Sequence, residues 1–341
     1  MKVLITGGAG YIGSTIASAC LDHGITPVVL DNLATGRREY LTGRHAYQGD
    51  IADGALIDRI FADQPDLQAV VHYAALSTVP QSLADPLSYY RENLSATVAL
   101  TGHLIRNRCR RMLFASSVSV YGGDATTVSE ADPLEPASPY ARTKAAGEAF
   151  LRDAAAATDL AVIALRYANP IGTDPALRTG LQVDRPTHLL GRLISAAEDG
   201  QPFTLMGTVW PTRDGSALRD FLHVWDLAQA HVAALHRFDT ITANAPFQAL
   251  NLSSGTGTTV RELARAFQDV TGHTVQLREA PARPGDVAGF RVDNARATAL
   301  LGWTPQLSLT DGIRHAMQWR PVRNRMLDQA VMESDAPAAA V

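Results

Sequence analysis

The first thirteen residues constrain the fold more than any other segment. A short apolar run at 2–6 (KVLIT) leads directly into the segment GGAGYIG at 7–13 and then into a helical pattern. The spacing of Gly7, Gly10 and Gly13 places small residues where the backbone turns, where a pyrophosphate approaches and where helix meets strand. The helix N-terminus that follows offers N–H groups to phosphates. The segment therefore predicts a strand–turn–helix unit that binds a dinucleotide, and a glycine-rich turn without a ligand is the alternative.

The rest of the first half alternates apolar or β-branched runs with helical patterns. The predicted strands lie at 2–6, 26–30, 46–48, 68–72, 111–116 and 160–166. The predicted helices lie between them at 11–23, 55–62, 85–107 and 140–157. This alternation predicts an α/β fold, a Rossmann-like doubly wound parallel sheet with helices on both faces.

The second half has a different composition and is richer in proline, glycine and arginine. Its shorter helical patterns lie at 187–198, 224–238, 259–271 and 294–301. We expect an NAD-binding Rossmann domain over 1–174, a smaller mixed α/β substrate-binding lobe over 175–320 and a flexible tail over 321–341. Part of 222–256 should pack back on the first domain, because the run 247–252 can form a further strand.

Composition excludes several classes of function. The net charge of −4 argues against general nucleic-acid binding and against an anionic membrane surface. No apolar stretch approaches the roughly 18 residues of a membrane span, and we expect no signal peptide, because the first apolar run follows Met1 directly. The two cysteines, Cys20 and Cys109, lack metal-ligand neighbours and fit a reducing, cytoplasmic compartment. We predict no metal site.

An acidic residue and an amide residue stand at the end of the second predicted strand. Asp31 and Asn32 end it, and a carboxylate there can bind both ribose hydroxyls and repel a 2′-phosphate, which favours NAD over NADP. Arg37 and Arg38 are close in sequence, and we interpret them as surface charge or adenine packing.

Two further strand ends are expected to face the same dinucleotide. Asp50 and Ile51 follow the third strand, where a side chain can hold the adenine amine, although Asp50 can equally be a helix N-cap. Ala74 and Ala75 follow the fourth strand, and their small side chains would let the cofactor pass closely.

The chemistry is predicted around SPYARTK at 138–144. On a helix, Tyr140 and Lys144 are one turn apart and share a face, and an ammonium beside a phenol favours the phenolate, a usable proton acceptor. Ser117 ends the fifth strand and can place its hydroxyl beside that phenol, at the edge where ligands of such sheets bind. A solvated tyrosine and lysine, and a strand capped by small polar residues, are the structural alternatives.

Several separate motifs over about residues 1–320 resemble the extended short-chain dehydrogenase/reductases, in particular their nucleotide-sugar 4-epimerases. The motifs are ITGGAGYIG, DNLATG, YYREN, SSVSVYG, SPYARTK, LRYANPIG, GSALRDFLHVWDLAQAH and RPGD. The resemblance implies the catalytic residues Ser117, Tyr140 and Lys144. It implies NAD binding by Gly7, Gly10, Tyr11, Ile12, Gly13, Asp31, Asn32, Asp50, Ile51, Ala74, Ala75, Asn93, Lys144 and Tyr167. It implies nucleotide-sugar binding by Ser117, Tyr140, Asn169, His188, Leu189, Thr204, Met206, Arg219, Arg283, Asp286 and Phe290.

The residue types agree with a nucleoside diphosphate ligand. Arg219 and Arg283 suit its two charges, because guanidinium groups are forked donors. Ala168 and His188 differ from the residues that are usual at these positions in the family. The resemblance therefore does not fix the identity of the sugar. Phe290 aligns with the boundary of the sugar pocket, and its ring should exclude an N-acetyl group, which favours glucose and galactose.

The activity implied is isomerisation: inversion of C4 of UDP-glucose or UDP-galactose through a transient 4-keto sugar, with NAD retained. Three alternatives remain open: a 4-epimerase of another NDP-hexose, a 4-ketoreductase and a non-catalytic NAD sensor. A 4,6-dehydratase is disfavoured, because Val118 and Ser119 stand where an acid pair is needed. The family also implies a role in galactose metabolism and a homodimer formed through helices at 85–107 and 140–157.

Overall fold

A computed structural model describes residues 1–122, 126–183, 186–283 and 286–335, with side chains to residue 328. Its strands are β1 (Lys2–Thr6), β2 (Thr26–Asp31), β3 (His45–Gln48), β4 (Leu67–His72), β5 (Arg111–Ser117), β6 (Thr127–Val128), β7 (Ala161–Tyr167), β8 (Asn169–Ile171), β9 (Phe203–Met206), β10 (Leu218–Arg219), β11 (Phe221–His223), β12 (Phe247–Leu252), β13 (Thr258–Thr259), β14 (Leu277–Ala280) and β15 (Arg291–Val292). Its helices are α1 (Tyr11–Asp22), α2 (Gly54–Asp63), α3 (Val79–Ala84), α4 (Pro86–Tyr90), α5 (Ala96–Arg106), α6 (Pro139–Ala157), α7 (Leu189–Glu198), α8 (Val224–His236), α9 (Phe238–Thr242), α10 (Val260–Thr271), α11 (Ala295–Leu301) and α12 (Leu309–Asp335).

The central sheet confirms the predicted α/β fold. Within the described residues it has seven strands in the order β12-β7-β5-β4-β1-β2-β3. Every neighbouring pair is parallel. The order runs outward in both directions from β1, so the sheet is doubly wound, and the turns after β1 and β4 lie at its carboxyl edge. The run 247–252 joins the sheet as β12, beside β7.

Hydrophobic cores cover both faces of this sheet. On one face α1 and α8 pack against Ile5 and Val71, and on the other α2, α5 and α6 pack against Leu4 and Val70. Successive residues of a strand point to opposite faces, so the apolar runs of β1 and β4 supply both cores.

A further core lies outside the sheet. It joins α7, α10 and α12 to the β9–β14 strand pair around Leu193, Leu205, Leu263 and Ile313. The predicted boundary between 174 and 175 stays a prediction.

The structure differs from the expectations in two places. The predicted helix 85–107 is interrupted by a π-helical turn at Arg91–Ser95, between α4 and α5. The predicted tail begins inside α12, which continues to Asp335, and Arg323 is buried. Residues 336–341 lie outside the described part of the chain.

Candidate active site

The glycine turn after β1 has the close contacts that its spacing predicts. A Cβ on Gly7 would lie 2.8 Å from the backbone nitrogen of Ala74, and Gly7 has a φ of 69°. A Cβ on Gly13 would lie 2.3 Å from the carbonyl oxygen of Gly7. Gly10 is more open, since a Cβ there would meet only that carbonyl oxygen, at 3.3 Å. Gly7 and Gly13 thus allow the turn, and Gly10 leaves the backbone approachable.

The N-terminus of α1 fits an anionic ligand. Its N-cap is Gly10, and among the described residues no side chain caps it. Its first turn holds no acidic residue, so its N–H groups are available to a pyrophosphate. Tyr11 donates from its hydroxyl to the carbonyl of Gly172 at 2.7 Å, and Ile12 packs into the core. The structure therefore places Tyr11 and Ile12 beside the turn, with the Tyr11 hydroxyl already bonded.

Asp31 closes the other side of this turn. Its carboxylate accepts from the N–H of Ala9 at 2.9 Å and from the N–H of Leu33 at 2.8 Å. Asn32 is exposed, and its side chain accepts from Ala34. Asp31 is therefore fixed beside the glycine turn, where a ribose would bind, with lone pairs left to accept hydroxyls.

The two arginines donate to groups other than that carboxylate. Arg38 donates to the side chain of Gln48 at 2.9 Å, and Arg37 donates to the carbonyl of Gln182 at 3.4 Å. Arg38 is thus a surface residue as expected, whereas Arg37 contacts the segment that follows β8.

Asp50 is not the helix N-cap. It accepts from the N–H of Ala52 in a tight turn, and Asp53 caps α2 instead, because Asp53 is the residue that immediately precedes the helix. Asp50 is exposed and Ile51 is buried.

The fourth strand end is organised by a buried asparagine. Asn93 lies in the π-helical turn, accepts from the N–H of Leu76 at 2.8 Å and donates to the carbonyl of Leu76 and the hydroxyl of Thr143. This holds the segment with Ala74 and Ala75 against α6. Ala75 is exposed and Ala74 is half-buried, so both border open space at the sheet edge.

The predicted catalytic side chains come together at the carboxyl edge of the sheet. Pro139 starts α6, and the Ser138 hydroxyl caps it by accepting from Ala141. The hydroxyl of Tyr140 lies near those of Ser117 and Tyr167, which end β5 and β7 and act on its pKa through hydrogen bonding. The sequence alone does not show that Tyr167 is a partner of Tyr140, because the contact depends on the pairing of β5 with β7.

The ammonium of Lys144 lies over two aromatic rings. Its Nζ is 5.9 Å from the ring centre of Tyr140 and 5.2 Å from that of Phe114. The shared helix face of Tyr140 and Lys144 is therefore present as predicted.

The ionisation of the pair differs from the expectation. Burial raises the pKa of Tyr140 to about 12, although hydrogen bonds from Ser117 and Tyr167 act in the opposite direction. Burial also lowers the pKa of Lys144 to about 8. In the polypeptide by itself the phenol is neutral at pH 7, because desolvation of the phenolate outweighs its stabilisation.

The predicted diphosphate residues lie together in the second half. Arg219 donates to the carbonyl of Val287, and Arg283 donates to the carboxylate of Asp286. Asp286 and Arg283 both act on the pKa of Arg219, which burial lowers. The two residues between Arg283 and Asp286 in the RPGD motif lie outside the described part.

Gly289 is a site residue that the sequence prediction missed. It has a φ of 88°, and a Cβ there would lie 2.7 Å from Nη1 of Arg219. The same Cβ would lie 1.9 Å from the carbonyl oxygen of Leu218, so a glycine is required for this close approach to the backbone beside Arg219.

The other predicted substrate residues are spread along neighbouring elements. Asn169 donates to the carbonyl of Asp220, next to Arg219. His188 caps α7 by accepting from Gly191, with Leu189 as the first residue of the helix, and Nε2 of His188 is buried without a partner among the described residues. Burial lowers the pKa of His188 to about 4, so this ring is neutral.

An open cleft of about 350 Å³ lies at the ends of β9 and β14. It is lined by residues 207–210 and 279–282, which are flanked in sequence by Met206 and Arg283. Thr204 lies on β9 and accepts from Arg278 at 3.2 Å.

Phe290 packs edge-on against Tyr121, with ring centres 6.2 Å apart, in a small cluster that includes Val118. That cluster follows β5 directly, so Phe290 lies beside the segment that begins with Ser117.

These features define an α/β dinucleotide-dependent enzyme of the extended short-chain dehydrogenase/reductase type. The chain belongs to the NAD dependent epimerase/dehydratase family, whose sequence profile matches residues 3–249.

Relatives and solved structures agree with this membership. The UDP-glucose 4-epimerase of Azospirillum brasilense is 38% identical over 98% of this chain and 95% of its own length. That of Bacillus subtilis is 36% identical over 94% of this chain and 97% of its own length. The structure of a UDP-glucose 4-epimerase from Stenotrophomonas maltophila, with bound NAD and formylated UDP-arabinopyranose, superposes with a TM-score of 0.90 at 34% identity, covering 95% of this chain and 99% of that one.

Proposed function

We propose that this protein is an NAD-dependent UDP-glucose 4-epimerase that interconverts UDP-glucose and UDP-galactose. The observation that carries the proposal is the Tyr140 side chain, which has the hydroxyls of Ser117 and Tyr167 beside its own and Lys144 over its ring. The relatives of nearly full length that share these names support the choice of substrate.

The residues of this chain would bind NAD and the sugar nucleotide and would transfer the proton. The glycine turn and the α1 N-terminus would hold the NAD pyrophosphate, and Asp31 the adenosine ribose. When bound, NAD supplies the acceptor and donor of the C4 hydride, together with a positive charge near the phenol.

Tyr140 is the base and acid of the reaction. Its phenolate takes the proton of the C4 hydroxyl and later returns a proton to the same oxygen. Ser117 donates a hydrogen bond to this oxygen as it becomes a carbonyl, and Lys144 favours the phenolate by its charge. Between the two transfers the 4-keto sugar must turn over, and we assign the diphosphate, held by Arg219 and Arg283, as its pivot.

The cleft at the ends of β9 and β14 is our candidate for the uracil end of the substrate. Its volume falls in the usual range for small-molecule sites. Phe290 bounds the sugar end, so we expect glucose and galactose to be accepted in preference to their N-acetylated forms.

We also propose a cytoplasmic homodimer. Cys20 and Cys109 are buried and unpaired, which suits a reducing compartment. Among the described residues no helix is both long and apolar enough to span a membrane. Apolar side chains are exposed on α4 and α5, including Leu87 at 82% and Val98 at 41%, and they form a surface for a second copy.

Incubation of the purified protein with UDP-galactose, without added NAD, tests the function. UDP-glucose should form until the two sugars reach equilibrium, and Tyr140→Phe should reduce the rate at least about a thousandfold while NAD stays bound. Parallel reactions with TDP-sugars and UDP-N-acetylglucosamine define the substrate. A wild-type protein that leaves UDP-galactose unchanged, or a Tyr140→Phe variant of normal rate, contradicts the proposal.

A further inference from the structure

A buried ion pair that the proposed mechanism does not use lies beneath α6. Glu148 is fully buried and Arg166 is 2% exposed. The guanidinium donates to the carboxylate through Nε at 2.8 Å and through Nη2 at 2.5 Å. Burying two charges is costly, and apolar residues would often serve stability as well. The pair therefore calls for an explanation other than stability.

The pair sits on a polar row that crosses the sheet. Ser116 on β5 pairs in register with Arg166 on β7, and Arg166 pairs with Asn251 on β12. Ser116 donates to Glu148 at 2.5 Å. Arg166 donates to the Tyr121 hydroxyl at 2.8 Å, which donates to Asn251 at 2.7 Å. Both charged groups thus have several partners in fixed geometry.

This row lies one residue before the groups that bind Tyr140. Ser116 precedes Ser117, and Arg166 precedes Tyr167. Glu148 is on the helix that carries Tyr140 and contacts both strands. A shift of α6 relative to β5 and β7 would have to break these bonds, so the pair fixes the position of the phenol between its two hydroxyl partners.

The pair also bears on Lys144, because Glu148 lies on the same helix as this lysine. Lys144 and Glu148 are four residues apart on one helix, a spacing at which lysine and glutamate attract each other. Here the carboxylate is occupied by Arg166 and Ser116, and Nζ of Lys144 stays over the rings of Phe114 and Tyr140.

Within the described part of the chain, the groups of other strands that face Lys144 are uncharged. His72 of β4 faces it, is bonded to Thr6 and Thr97, and is neutral because burial and the nearby ammonium lower its pKa to about 3. Tyr167 of β7 is neutral as well, because burial raises its pKa.

We propose that Glu148 and Arg166 are positioning residues for the catalytic helix, and that their mutual neutralisation keeps Lys144 free to act on Tyr140. The proposal rests on the proposed function insofar as Tyr140 and Lys144 are catalytic. Neither residue is among those that we assign to substrate or cofactor binding.

The chain offers a direct measurement, because Lys2 and Lys144 are its two lysines. Labelling with [ε-¹³C]lysine gives two side-chain NMR signals, and Lys2→Arg assigns them. In the wild type, Lys144 should titrate near pH 8. In Arg166→Met the carboxylate of Glu148 loses its arginine partner and can attract Lys144. This should raise the titration midpoint of Lys144 by about one pH unit or more. Glu148→Gln leaves an unpaired cation and should lower it, and the double variant should restore it.

Kinetics complete the test. Arg166→Met should lower kcat for UDP-galactose by about tenfold or more with KM within about threefold, and the double variant should recover most of kcat. Arg110→Met removes an exposed partner of Asp159 from the position just before β5 and should leave both readouts unchanged.

Distinct outcomes separate the two proposals. If Arg166→Met does not fold, Glu148→Gln and the double variant still make different predictions about Lys144: a lowered midpoint in the first and a wild-type midpoint in the second. Equal midpoints in all folded variants overturn the positioning role. A wild-type protein without epimerase activity contradicts the proposed function. The lysine titrations then still test the role of Glu148 and Arg166.

Discussion

At the scale of single residues, the buried ammonium of Lys144 destabilises the folded protein. Burial lowers its pKa from 10.5 to about 8, so the unfolded chain binds more protons than the folded chain between these values. The free energy of unfolding is therefore lowered by the full amount below about pH 8. This loss decreases as the pH rises toward 10.5. A residue that destabilises the fold at the pH of function is typical of an active site.

Lys144→Met should therefore be inactive and yet more stable. We expect a gain of roughly 1–3 kcal/mol in the free energy of unfolding at pH 7, decreasing toward pH 9.5. Urea unfolding at a series of pH values measures it. Lys2→Met, which removes the ion pair with Asp66, should give no such gain. A Lys144→Met protein less stable than the wild type at pH 7 contradicts the interpretation.

At the scale of elements, the π-helical turn at Arg91–Ser95 gives Asn93 its role. One extra residue in the turn breaks the regular helical spacing, and such turns are frequent at functional sites. Asn93 is 2% exposed and joins the segment after β4 to Thr143 of α6. The cofactor edge and the catalytic helix are thus connected through one amide.

Asn93→Ala should lose about 2–3 kcal/mol in the free energy of unfolding, because the N–H and carbonyl of Leu76 lose their partner. Denaturant titration measures this loss. The matched control is Asn107→Ala, at the half-buried C-cap that follows α5, which should cost less than about 1 kcal/mol. Equal effects of the two substitutions would show that the amide of Asn93 has no special structural role.

At the scale of the whole molecule, the exposed apolar side chains of α4 and α5 predict self-association. We expect the protein to be a dimer at micromolar concentration and Val98→Arg to shift it toward monomer, because a desolvated charge would face the partner. Light scattering after size-exclusion chromatography measures the mass. Val209→Arg, at a side chain that is 93% exposed in the second half, is the matched control. A monomeric wild type excludes the proposed homodimer.

The secondary structure of the first half was predictable because its signals are local. Alternating apolar runs gave the strands of the sheet, and glycine spacing gave the turn after β1. The interruption of 85–107 was not predictable from periodicity, since a π-helical turn changes the spacing by one residue without a proline or glycine to mark it. Likewise Asp53, rather than Asp50, caps α2, because two aspartates near a helix start look alike until the first turn is placed.

The sequence by itself determined the class of fold and the spacing of Gly7, Gly10, Gly13, Tyr140 and Lys144, since these depend on backbone geometry within one or two turns. The tertiary structure decided which groups face one another and how far each is desolvated. Strand pairing brought Tyr167 to Tyr140 and Arg166 to Glu148, and burial made the phenol neutral. Charge and pKa depend on neighbours distant in sequence, and for that reason the ionisation of the site followed only from the folded molecule.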